Sequence, residues 1–450
     1  MSERPLSAVI LAAGLGTRMR SRWPKVLHRL AGRPMIDLVL DACQAAGVRE
    51  VTVVISPAQP DVGAHLAARN GDCQVVIQHE QRGTGHALAQ VPGERLAAGD
   101  VLVVNGDSPL IRPETIAHLL QAHRRAGVPA TLASVLDPER RDGRILRAAD
   151  GSLDRIVEYK EAGPELAAVT EINVGLYCFE GPRLLQALRR LRPDNRAGEL
   201  YLTDVFKDLR PAQVVQLADR EEALGINDRV QLAEAERALR QRLLRQLMLS
   251  GVTVVDPAST FVDVGVKVGQ DSVLEPFTFL RGATVVGEGC RLGPHTDIRD
   301  SRIGDDARIE HSWLDSVDFG AGSDCGPFSK LRPGTRIAEG VHVGSFVEMV
   351  RTSVGRGSRV PHVSYLGDAT VGEDVNIGAG SITANFDGTH KNPTVIEDGV
   401  FVGVDTMFRA PVRVGRGSKT GAGSVVTKDV PPGATAVGVP ARVIRRKEAE

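Results

Sequence analysis

The residues with the clearest chemical potential lie near the N-terminus, in the run Leu-Ala-Ala-Gly-Leu-Gly-Thr-Arg-Met at residues 11–19 and the Pro-Lys pair at residues 24–25. The run follows an apolar stretch, residues 8–11, which predicts a strand. Glycines after a strand let backbone N–H groups approach a phosphate without a Cβ in the way, and Arg18 and Lys25 add positive charge. The segment is therefore predicted to hold the phosphates of a nucleotide.

Two better-known phosphate motifs do not match this segment. A P-loop requires Gly, four residues and then Gly-Lys-Ser/Thr, and a dinucleotide fingerprint requires a third glycine where this chain has Met19. Taken alone, the loop is also compatible with an ordinary strand-to-helix turn beside two solvated bases.

Length, charge and cysteine usage narrow the class of protein. A chain of 450 residues exceeds one ordinary core and indicates two or three domains. The net charge of −1 gives no general attraction to nucleic acid or to an anionic membrane, so neither is expected as a partner. Five scattered cysteines without a CxxC pair argue against a disulfide framework and a structural zinc site. We expect a cytoplasmic protein without membrane insertion, since no leader segment and no run of about 18 apolar residues is present.

The first half of the chain alternates strand-like and helix-like segments, which predicts a mostly parallel sheet covered by helices, with ligands at the carboxyl ends of strands. Both Gly14 and Asp107 directly follow a predicted strand, although Asp107 alone is also compatible with an ordinary turn. The predicted strands are Ala8–Leu11, Val51–Ile55, Val75–Ile77, Val101–Val104 and Leu176–Phe179, and the predicted helices include Met35–Ala46 and Pro113–Ala126.

A long helix is predicted between the two halves. Residues 228–249 lack Gly and Pro and carry leucines at helical spacing, and Gly251 follows. We interpret this helix as a connector, which predicts domains at residues 1–227 and 251–450 with a linker helix at residues 228–250.

Beyond the helix, apolar residues recur with a period of six, and many are followed by glycine. A repeat this short cannot be a helix pair, but it fits a β-solenoid whose hexapeptides each supply one short strand and one turn. Residues 383–394 interrupt the period and predict a loop that leaves the coil. The repeating apolar positions are Val268, Leu274, Leu280, Val286, Leu292, Ile298, Ile337, Val343, Met349, Ile396, Val402, Phe408, Val414 and Val426.

Both halves resemble known families. The Leu-x-x-Gly-x-Gly-Thr-Arg-Met run with its downstream Pro-Lys resembles the signature of sugar-nucleotide pyrophosphorylases, and the repeats resemble the left-handed parallel β-helix of hexapeptide acyltransferases. Together, from residue 8 to about 426, the chain resembles bifunctional bacterial N-acetylglucosamine-1-phosphate uridylyltransferases and glucosamine-1-phosphate N-acetyltransferases. The resemblance implies a Rossmann-like nucleotidyltransferase domain with a mostly parallel sheet, joined to a left-handed β-helix that forms homotrimers.

The same resemblance implies the substrates and cofactors. Acetyl transfer from acetyl-CoA to glucosamine-1-phosphate would be followed by Mg²⁺-dependent uridylyl transfer from UTP to N-acetylglucosamine-1-phosphate, releasing pyrophosphate. The product, UDP-N-acetylglucosamine, serves peptidoglycan, lipopolysaccharide and cell-wall synthesis and so cell shape.

In the first half, the resemblance implies that Asp107 and Asn227 bind magnesium, for which hard oxygen ligands are suited. Lys25 and Arg18 would neutralise charge during in-line attack of the sugar phosphate on the α-phosphorus of UTP, a reaction that needs no base and no covalent intermediate. The nucleotide- and sugar-binding positions implied are Leu11, Ala12, Ala13, Gly14, Lys25, Gln78, Gly83, Thr84, Gly143, Glu158, Asn173 and Asn227.

In the second half, the resemblance implies that His362 is the base that deprotonates the acceptor amine, which His can do near neutral pH. Glu348 is the candidate for orienting His362. Arg332, Tyr365, Asn376 and Lys391 would bind the amino sugar phosphate. Ala379, Asn385, Ala422 and Arg442 would contact acetyl-CoA, and Asn385 is also a candidate donor to the tetrahedral oxyanion.

Two positions depart from the family pattern in this half. Val350 stands where a lysine usually points at the sugar phosphate, and Val404 replaces a serine. Arg351 is next to Val350, but adjacent side chains of a strand face opposite ways, so it is not automatically a replacement.

Two alternatives remain open from the sequence. One is a nucleotidyltransferase for another sugar or nucleotide, such as a thymidylyl- or guanylyltransferase, although Gln78 and the Gly-Thr pair at residues 83–84 favour uracil. The other is a β-helix that acts on another acceptor or serves only for trimerisation, although His362 in Pro-His-Val-Ser-Tyr favours a working site.

Overall fold

The computed structural model describes residues 4–69, 71–140, 142–161, 163, 166 and 168–446. The predicted domain ranges 1–227 and 251–450 therefore extend at both outer ends beyond the described residues. The chain divides into two compact units, Met1–Leu239 and Arg240–Glu450, whose boundary falls inside the helix Arg229–Leu249. This helix confirms the one predicted over residues 228–249, while the three-part division of the chain stays a prediction.

The N-terminal unit is an α/β domain. Its strands are β1 (Leu6–Leu11), β2 (Arg29–Leu30), β3 (Arg33–Pro34), β4 (Glu50–Ile55), β5 (Gln74–Ile77), β6 (Asp100–Asn105), β7 (Ala130–Leu136), β8 (Arg144–Arg147), β9 (Leu153–Val157), β10 (Glu171–Glu180) and β11 (Ala212–Gln216). Its helices are α1 (Met35–Ala45), α2 (Pro60–Ala67), α3 (Thr84–Leu88), α4 (Gly93–Ala97), α5 (Pro113–Ala126) and α6 (Gly181–Leu188), followed by α7 (Arg229–Leu249). Single turns of 3-10 helix occur at Thr17–Met19, Lys25–Leu27, Tyr159–Glu161, Leu202–Lys207 and Arg220–Ala223.

The central sheet has the strand order β11-β7-β10-β6-β1-β4-β5. Strand β1 pairs in parallel with β4 and β6, whereas β10 is antiparallel to β6 and β7. The mostly parallel sheet is confirmed, and apolar clusters cover both of its faces. All five predicted strands and both predicted helices are present; only β10 is much longer than predicted, because Asn173 and Gly175 interrupt its apolar pattern.

The C-terminal unit is the parallel β-helix expected from the repeats. Its strands are β12 (Thr253–Val254), β13 (Phe261–Val262), β14 (Lys267–Val268), β15 (Val273–Leu274), β16 (Thr278–Arg281), β17 (Val285–Val286), β18 (Arg291–Leu292), β19 (Thr296–Arg299), β20 (Arg302–Ile303), β21 (Arg308–Ile309), β22 (Trp313–Asp315), β23 (Asp318–Phe319), β24 (Asp324–Cys325), β25 (Lys330–Leu331), β26 (Arg336–Ile337), β27 (His342–Val350), β28 (Ser353–Val354), β29 (Arg359–Gly367), β30 (Ala369–Val371), β31 (Asn376–Ile377), β32 (Ile382–Ala384), β33 (Thr394–Ile396), β34 (Phe401–Val402), β35 (Met407–Arg409), β36 (Val412–Val414), β37 (Lys419–Thr420), β38 (Val425–Val426), β39 (Ala434–Gly438) and β40 (Ala441–Arg446).

Each coil of the β-helix contributes strands to three faces, and a strand pairs with the equivalent strand of the next coil. The apolar residues with period six point inward and form one continuous core; for example, Leu274, Ile298 and Phe408 are fully buried. Residues 385–393 lie between β32 and β33, which confirms the predicted loop. Across the described ranges, we find no helix with the length and apolar character needed to span a bilayer.

Two strands, β27 and β29, run without a break through a corner of the prism, and each is nine residues long. Their register aligns Ser345 with His362 and Glu348 with Tyr365. Of the residues predicted to perform acetyl transfer, these two strands carry His362, Glu348 and Tyr365.

Candidate active sites

The glycine-rich loop begins where β1 ends in the centre of the sheet. The amide of Ala12 donates to the carbonyl of Val54, and the side chain of Gln59 donates to the carbonyl of Gly14 at 3.0 Å. Gly16 lies against Lys25, because a Cβ on this glycine would be 2.6 Å from the Cβ of Lys25. The sheet thus fixes the start of the loop through Ala12, and Lys25 packs against its end at Gly16.

Lys25, Asp107 and Asn227 come together although they are far apart in the sequence. The ammonium group of Lys25 forms an ion pair with Asp107 Oδ2 and donates to Asn227 Oδ1 at 3.2 Å. Asp107 lies two residues after the end of β6, and its carbonyl accepts from the amide of Ile226, which fixes the Asn227 segment beside it. Asp107 and Asn227, the two residues predicted to bind a metal, therefore both accept from the ammonium group of Lys25.

This pair has the chemistry that magnesium requires. A carboxylate and an amide oxygen are hard ligands, and Mg²⁺ commonly takes only one or two protein ligands and completes its shell with water and phosphate oxygens. The side-chain ammonium of Lys25 demonstrates that the two oxygens together attract a cation. Within the described residues, no group of three His, Cys, Asp or Glu side chains forms a larger metal cluster.

The predicted base-recognition segment lies beside this cluster. Gln78 is buried, and its side-chain nitrogen donates to the carbonyl of Gly83 at 3.2 Å and contacts His86 Nδ1 at 3.0 Å. The carbonyl of Leu200 accepts from the amide of Gly85, and the hydroxyl of Thr84 accepts from the amide of Leu202. These hydrogen bonds hold the backbone around Gly83 and Thr84 in one position, as is needed for backbone groups to form specific hydrogen bonds with a nucleotide base.

Replacing Gly83 with alanine is expected to raise the KM for UTP about tenfold or more. Gly83 has φ +105°, and an added Cβ would lie 2.5 Å from the backbone oxygen of Leu200. A Cβ at this distance must displace the base-recognition segment, and a misplacement of about 1 Å can cost on the order of tenfold to 10²-fold. Gly71 provides a matched control, since its φ is +91° but an added Cβ would meet nothing within 4 Å. Equal KM values for the two variants would contradict the prediction.

The predicted sugar-binding residues form a second pocket. The carboxylate of Glu158 accepts from the hydroxyl of Thr203 at 2.9 Å, and burial raises the pKa of Glu158. The side-chain amide of Asn173 donates to the hydroxyl of Tyr177 at 2.6 Å, and its backbone amide donates to the carbonyl of Gly143.

The two pockets of the N-terminal unit are continuous. A cavity of about 310 Å³ contains the glycine loop and the base segment, and a cavity of about 220 Å³ contains the sugar set. Both are lined by Leu11, Thr84, Asn105 and Asp107, so the metal pair lies where they meet. The cleft brings together all the predicted nucleotide- and sugar-binding residues except Arg18, which is exposed on the 3-10 turn Thr17–Met19.

Sequence reasoning missed several polar residues of the cleft, among them Asn105, Arg140, Asp142 and Thr203. Arg140 donates to Asp142 at 2.7 Å, and burial raises the pKa of Asp142. Asn105 could have been found from its position at the end of β6, two residues before Asp107. The other three carry no signal, since only the folded chain brings them to the cleft.

In the C-terminal unit, His362 is exposed at the corner that β29 crosses. Continuing the strand registers places one residue from each successive coil at the same corner position as His362. The pairs that define this register are Ser345 with His362, Arg359 with Asn376, Asn376 with Phe401, and Phe401 with Lys419. The resulting corner column is Ser345, His362, Ala379, Val404 and Ala422.

The corner column joins the candidate base to the candidate acetyl-CoA positions. Ala379 and Ala422 lie on the column beyond His362, and Val404 lies between them with half of its surface exposed. Neighbouring coils lie about 4.8 Å apart, so the column is an extended small-residue track leading to the imidazole. Val404 places methyl groups on this track.

Glu348 does not contact His362 within the chain. Its carboxylate accepts from Arg332 Nη1 at 3.0 Å, and its register neighbour is Tyr365. Phe346 occupies the corner with φ +58°, and this turn separates Glu348 from the position aligned with His362. Within the chain, Glu348 therefore pairs with Arg332, another predicted site residue, and does not make the contact with His362 that would orient the imidazole.

The remaining predicted residues surround this corner or lie further along the β-helix. Asn385 is buried at the start of the loop, and Lys391 places its ammonium 4.7 Å from the ring centre of Phe386 in the same loop. Asn376 lies on β31, one face away from Tyr365, and Arg442 lies on the hairpin strand β40. Val350 is buried, so it offers no group to a ligand.

Comparison with known proteins agrees with both halves. Residues 8–210 match the family model of the MobA-like NTP transferase domain, and residues 393–428 match the bacterial transferase hexapeptide (six repeats). The bifunctional protein GlmU of Heliobacterium modesticaldum is 49% identical over 443 residues, which cover 96% of this chain and 95% of that protein.

Two further relatives extend the comparison. The bifunctional protein GlmU of Streptomyces avermitilis is 46% identical over 444 residues, covering 96% of this chain and 92% of that protein. The bifunctional protein GlmU of Thermobifida fusca is 47% identical over 447 residues, which cover 97% of this chain and 92% of that protein. The chain therefore belongs to the GlmU family of bifunctional N-acetylglucosamine-1-phosphate uridylyltransferases and glucosamine-1-phosphate N-acetyltransferases.

Proposed function

We propose that the cleft of the N-terminal unit transfers the uridylyl group of UTP to N-acetylglucosamine-1-phosphate with the help of Mg²⁺ held by Asp107 and Asn227. The observation that carries this proposal is the convergence of Lys25, Asp107 and Asn227 at the junction of the two pockets. The nucleotide would occupy the pocket of the glycine loop and Gln78, and the sugar would occupy the pocket of Glu158 and Asn173. Family membership favours this activity over transfer of another nucleotide.

The residues of the cleft suit a reaction that depends on positioning and charge. The sugar phosphate is already a nucleophile, so the cleft must hold it in line with the α-phosphorus and neutralise the triphosphate. Lys25 supplies a side-chain cation within the cleft, and loop amides after Leu11 supply backbone donors. Arg18, which is exposed on the neighbouring 3-10 turn, would have to move to reach the triphosphate. A bound Mg²⁺ would add positive charge at the phosphate oxygens.

The corner of the β-helix is the proposed site of acetyl transfer to glucosamine-1-phosphate. His362 accepts a proton from the acceptor ammonium, which frees the nitrogen lone pair to attack the thioester carbon. The new C–N bond gives a tetrahedral oxyanion, and its collapse breaks the C–S bond. The nitrogen loses its second proton as the amide forms, the departing CoA thiolate takes up a proton, and CoA leaves as the thiol. Arg332 and Lys391 are the cations available to the sugar phosphate, because Val350 supplies none.

We further propose that the chain forms a homotrimer in the cytoplasm. Support for assembly comes from an aromatic ladder at the corner that carries His362, in which Phe328 and Phe346 are more than half exposed. An exposed apolar stripe of this length is typical of an interaction surface. The ladder consists of Phe277, His295, His311, Phe328 and Phe346, with ring centres 4.7–5.5 Å apart. All five cysteines are free, as expected in a reducing compartment.

Two assays of the purified protein test the proposed function. With Mg²⁺, UTP and N-acetylglucosamine-1-phosphate it should release pyrophosphate, and with acetyl-CoA and glucosamine-1-phosphate it should release free thiol. Faster pyrophosphate release with dTTP, GTP or another sugar phosphate would contradict the first activity. Absence of thiol release with glucosamine-1-phosphate would contradict the second.

A further inference from the structure

Arg351, which follows the buried Val350, directs its guanidinium toward Asp368. Its guanidinium forms two hydrogen bonds to the carboxylate of Asp368, from Nε at 2.6 Å and from Nη2 at 2.9 Å. These two hydrogen bonds hold the pKa of Asp368 below its usual range. Such a two-point pairing fixes the plane of the carboxylate more firmly than a single contact would.

Asp368 in turn binds the side chain of Asn385. The amide nitrogen of Asn385 donates to Asp368 Oδ2, the same oxygen that accepts from Arg351 Nη2. An ionised carboxylate can only accept, so the amide group of Asn385 must face Asp368 with its nitrogen. Asn385 is nearly fully buried, and its backbone carbonyl accepts from the amide of Asn392 at 2.7 Å.

Gly367 brings this arrangement against Tyr365. A Cβ on Gly367 would lie 2.6 Å from the hydroxyl oxygen of Tyr365 and 2.7 Å from the amide nitrogen of Asn385. The side chains of Tyr365 and Asn385 therefore both pack against the α-carbon of Gly367, in space that a larger residue would fill. Tyr365 lies three positions after His362 and is predicted to bind the amino sugar phosphate. Asn385 lies twenty-three positions after His362 and is predicted to contact the acetyl group.

We propose that Asp368, clamped by Arg351, is a positioning residue for acetyl transfer that fixes the orientation of the Asn385 amide beside Tyr365. One N–H of that amide is committed to Asp368, which leaves its second N–H to donate to the acetyl carbonyl. The inference rests on the proposed role of Asn385 in acetyl transfer.

The arrangement also gives Arg351 a function that differs from that of the lysine missing at position 350. Because the Nε and Nη2 edge of its guanidinium is engaged by Asp368, that edge of Arg351 is not available to the sugar phosphate. It acts on the reaction through Asp368 and Asn385 instead.

A double-mutant cycle with Asp368→Asn and Asn385→Ala tests this proposal. Asparagine at position 368 replaces one carboxylate oxygen with an amide nitrogen that cannot accept. It must therefore lose either the bond from Arg351 Nε or the two bonds that converge on Oδ2, and it loses the negative charge in both cases. We expect kcat for acetyl transfer to fall about 10²-fold in Asp368→Asn, a size typical of a misplaced reacting group, with little change in KM for acetyl-CoA. Because Asp368 acts through Asn385, the double variant should be no slower than Asn385→Ala alone.

Controls separate positioning from damage to the fold. Asp297→Asn breaks a comparable pair with Arg281 elsewhere on the β-helix, whose contact is 3.1 Å, and it should leave acetyl transfer unchanged. If Asp368→Asn does not fold, Arg351→Met removes the clamp while keeping the carboxylate, and its effect should likewise vanish in the Asn385→Ala background.

Three results would overturn the proposal. Wild-type kcat in Asp368→Asn would show that the carboxylate does not position the amide. Adding Asp368→Asn to the Asn385→Ala variant could also lower kcat by the same factor as in the wild-type protein. That result would show that the two residues act independently. Full activity of Asn385→Ala would instead refute the proposed role of Asn385, and this inference with it.

Discussion

Replacing His362 with alanine is expected to slow acetyl transfer by about 10²- to 10⁴-fold, the usual contribution of a general base. The acceptor amine is an ammonium ion near neutral pH and has no lone pair until a base removes its proton. His362 is exposed at the corner that also carries Ala379 and Ala422, and the strand register places its imidazole one coil away from Ala379. The release of free thiol from acetyl-CoA measures this loss.

The control for this variant is His295→Ala. His295 is also exposed at the same corner, several coils earlier, but it stacks on Phe277 with ring centres 4.7 Å apart. Both variants should keep full uridylyl transfer. Comparable thiol release by His362→Ala and His295→Ala would mean that another group removes the proton.

Asp107→Ala is expected to slow uridylyl transfer at least about 10²-fold, because a metal held at this position would contribute several kcal/mol of charge stabilisation. The change also removes the anionic partner of Lys25, whose ammonium then retains only Asn227. Pyrophosphate release measures the rate, and Mn²⁺ binding followed by electron paramagnetic resonance measures the metal site independently.

The comparison for Asp107→Ala is Asp150→Ala, which removes an exposed turn carboxylate that bonds only locally to Ser152. Mn²⁺ should bind more weakly to Asp107→Ala than to this control, and both proteins should acetylate glucosamine-1-phosphate normally. Unchanged Mn²⁺ binding in Asp107→Ala would place the metal elsewhere.

Much of the uridylyl site could be predicted because it rests on local signals. The loop containing Gly14 follows a strand whose apolar run is visible in the sequence, and Asp107 follows another. Parallel pairing of β1 with β6 then brings both loops to one sheet edge without further information. The distant partner, Asn227, was found only through the family resemblance, because 202 positions separate it from Lys25.

Other features depend on packing that the sequence does not encode locally. The family resemblance suggested Glu348 as the residue that orients His362, but Phe346 turns the strand at the corner between them, and Glu348 pairs with Arg332. The Arg351, Asp368 and Asn385 contacts join three separate coils or loops, so no spacing rule reveals them. In contrast, the β-helix itself was predictable because its period repeats over many coils.

The central claim, that one chain carries two separate catalysts, is tested most directly by mixing two single-site variants. His362→Ala and Asp107→Ala are each incubated with glucosamine-1-phosphate, acetyl-CoA, UTP and Mg²⁺, and UDP-N-acetylglucosamine is measured by chromatography. Neither variant alone should form the product, whereas an equal mixture should form it readily, because the intermediate made by one protein can diffuse to the other. A mixture that remains as inactive as its components would contradict the claim.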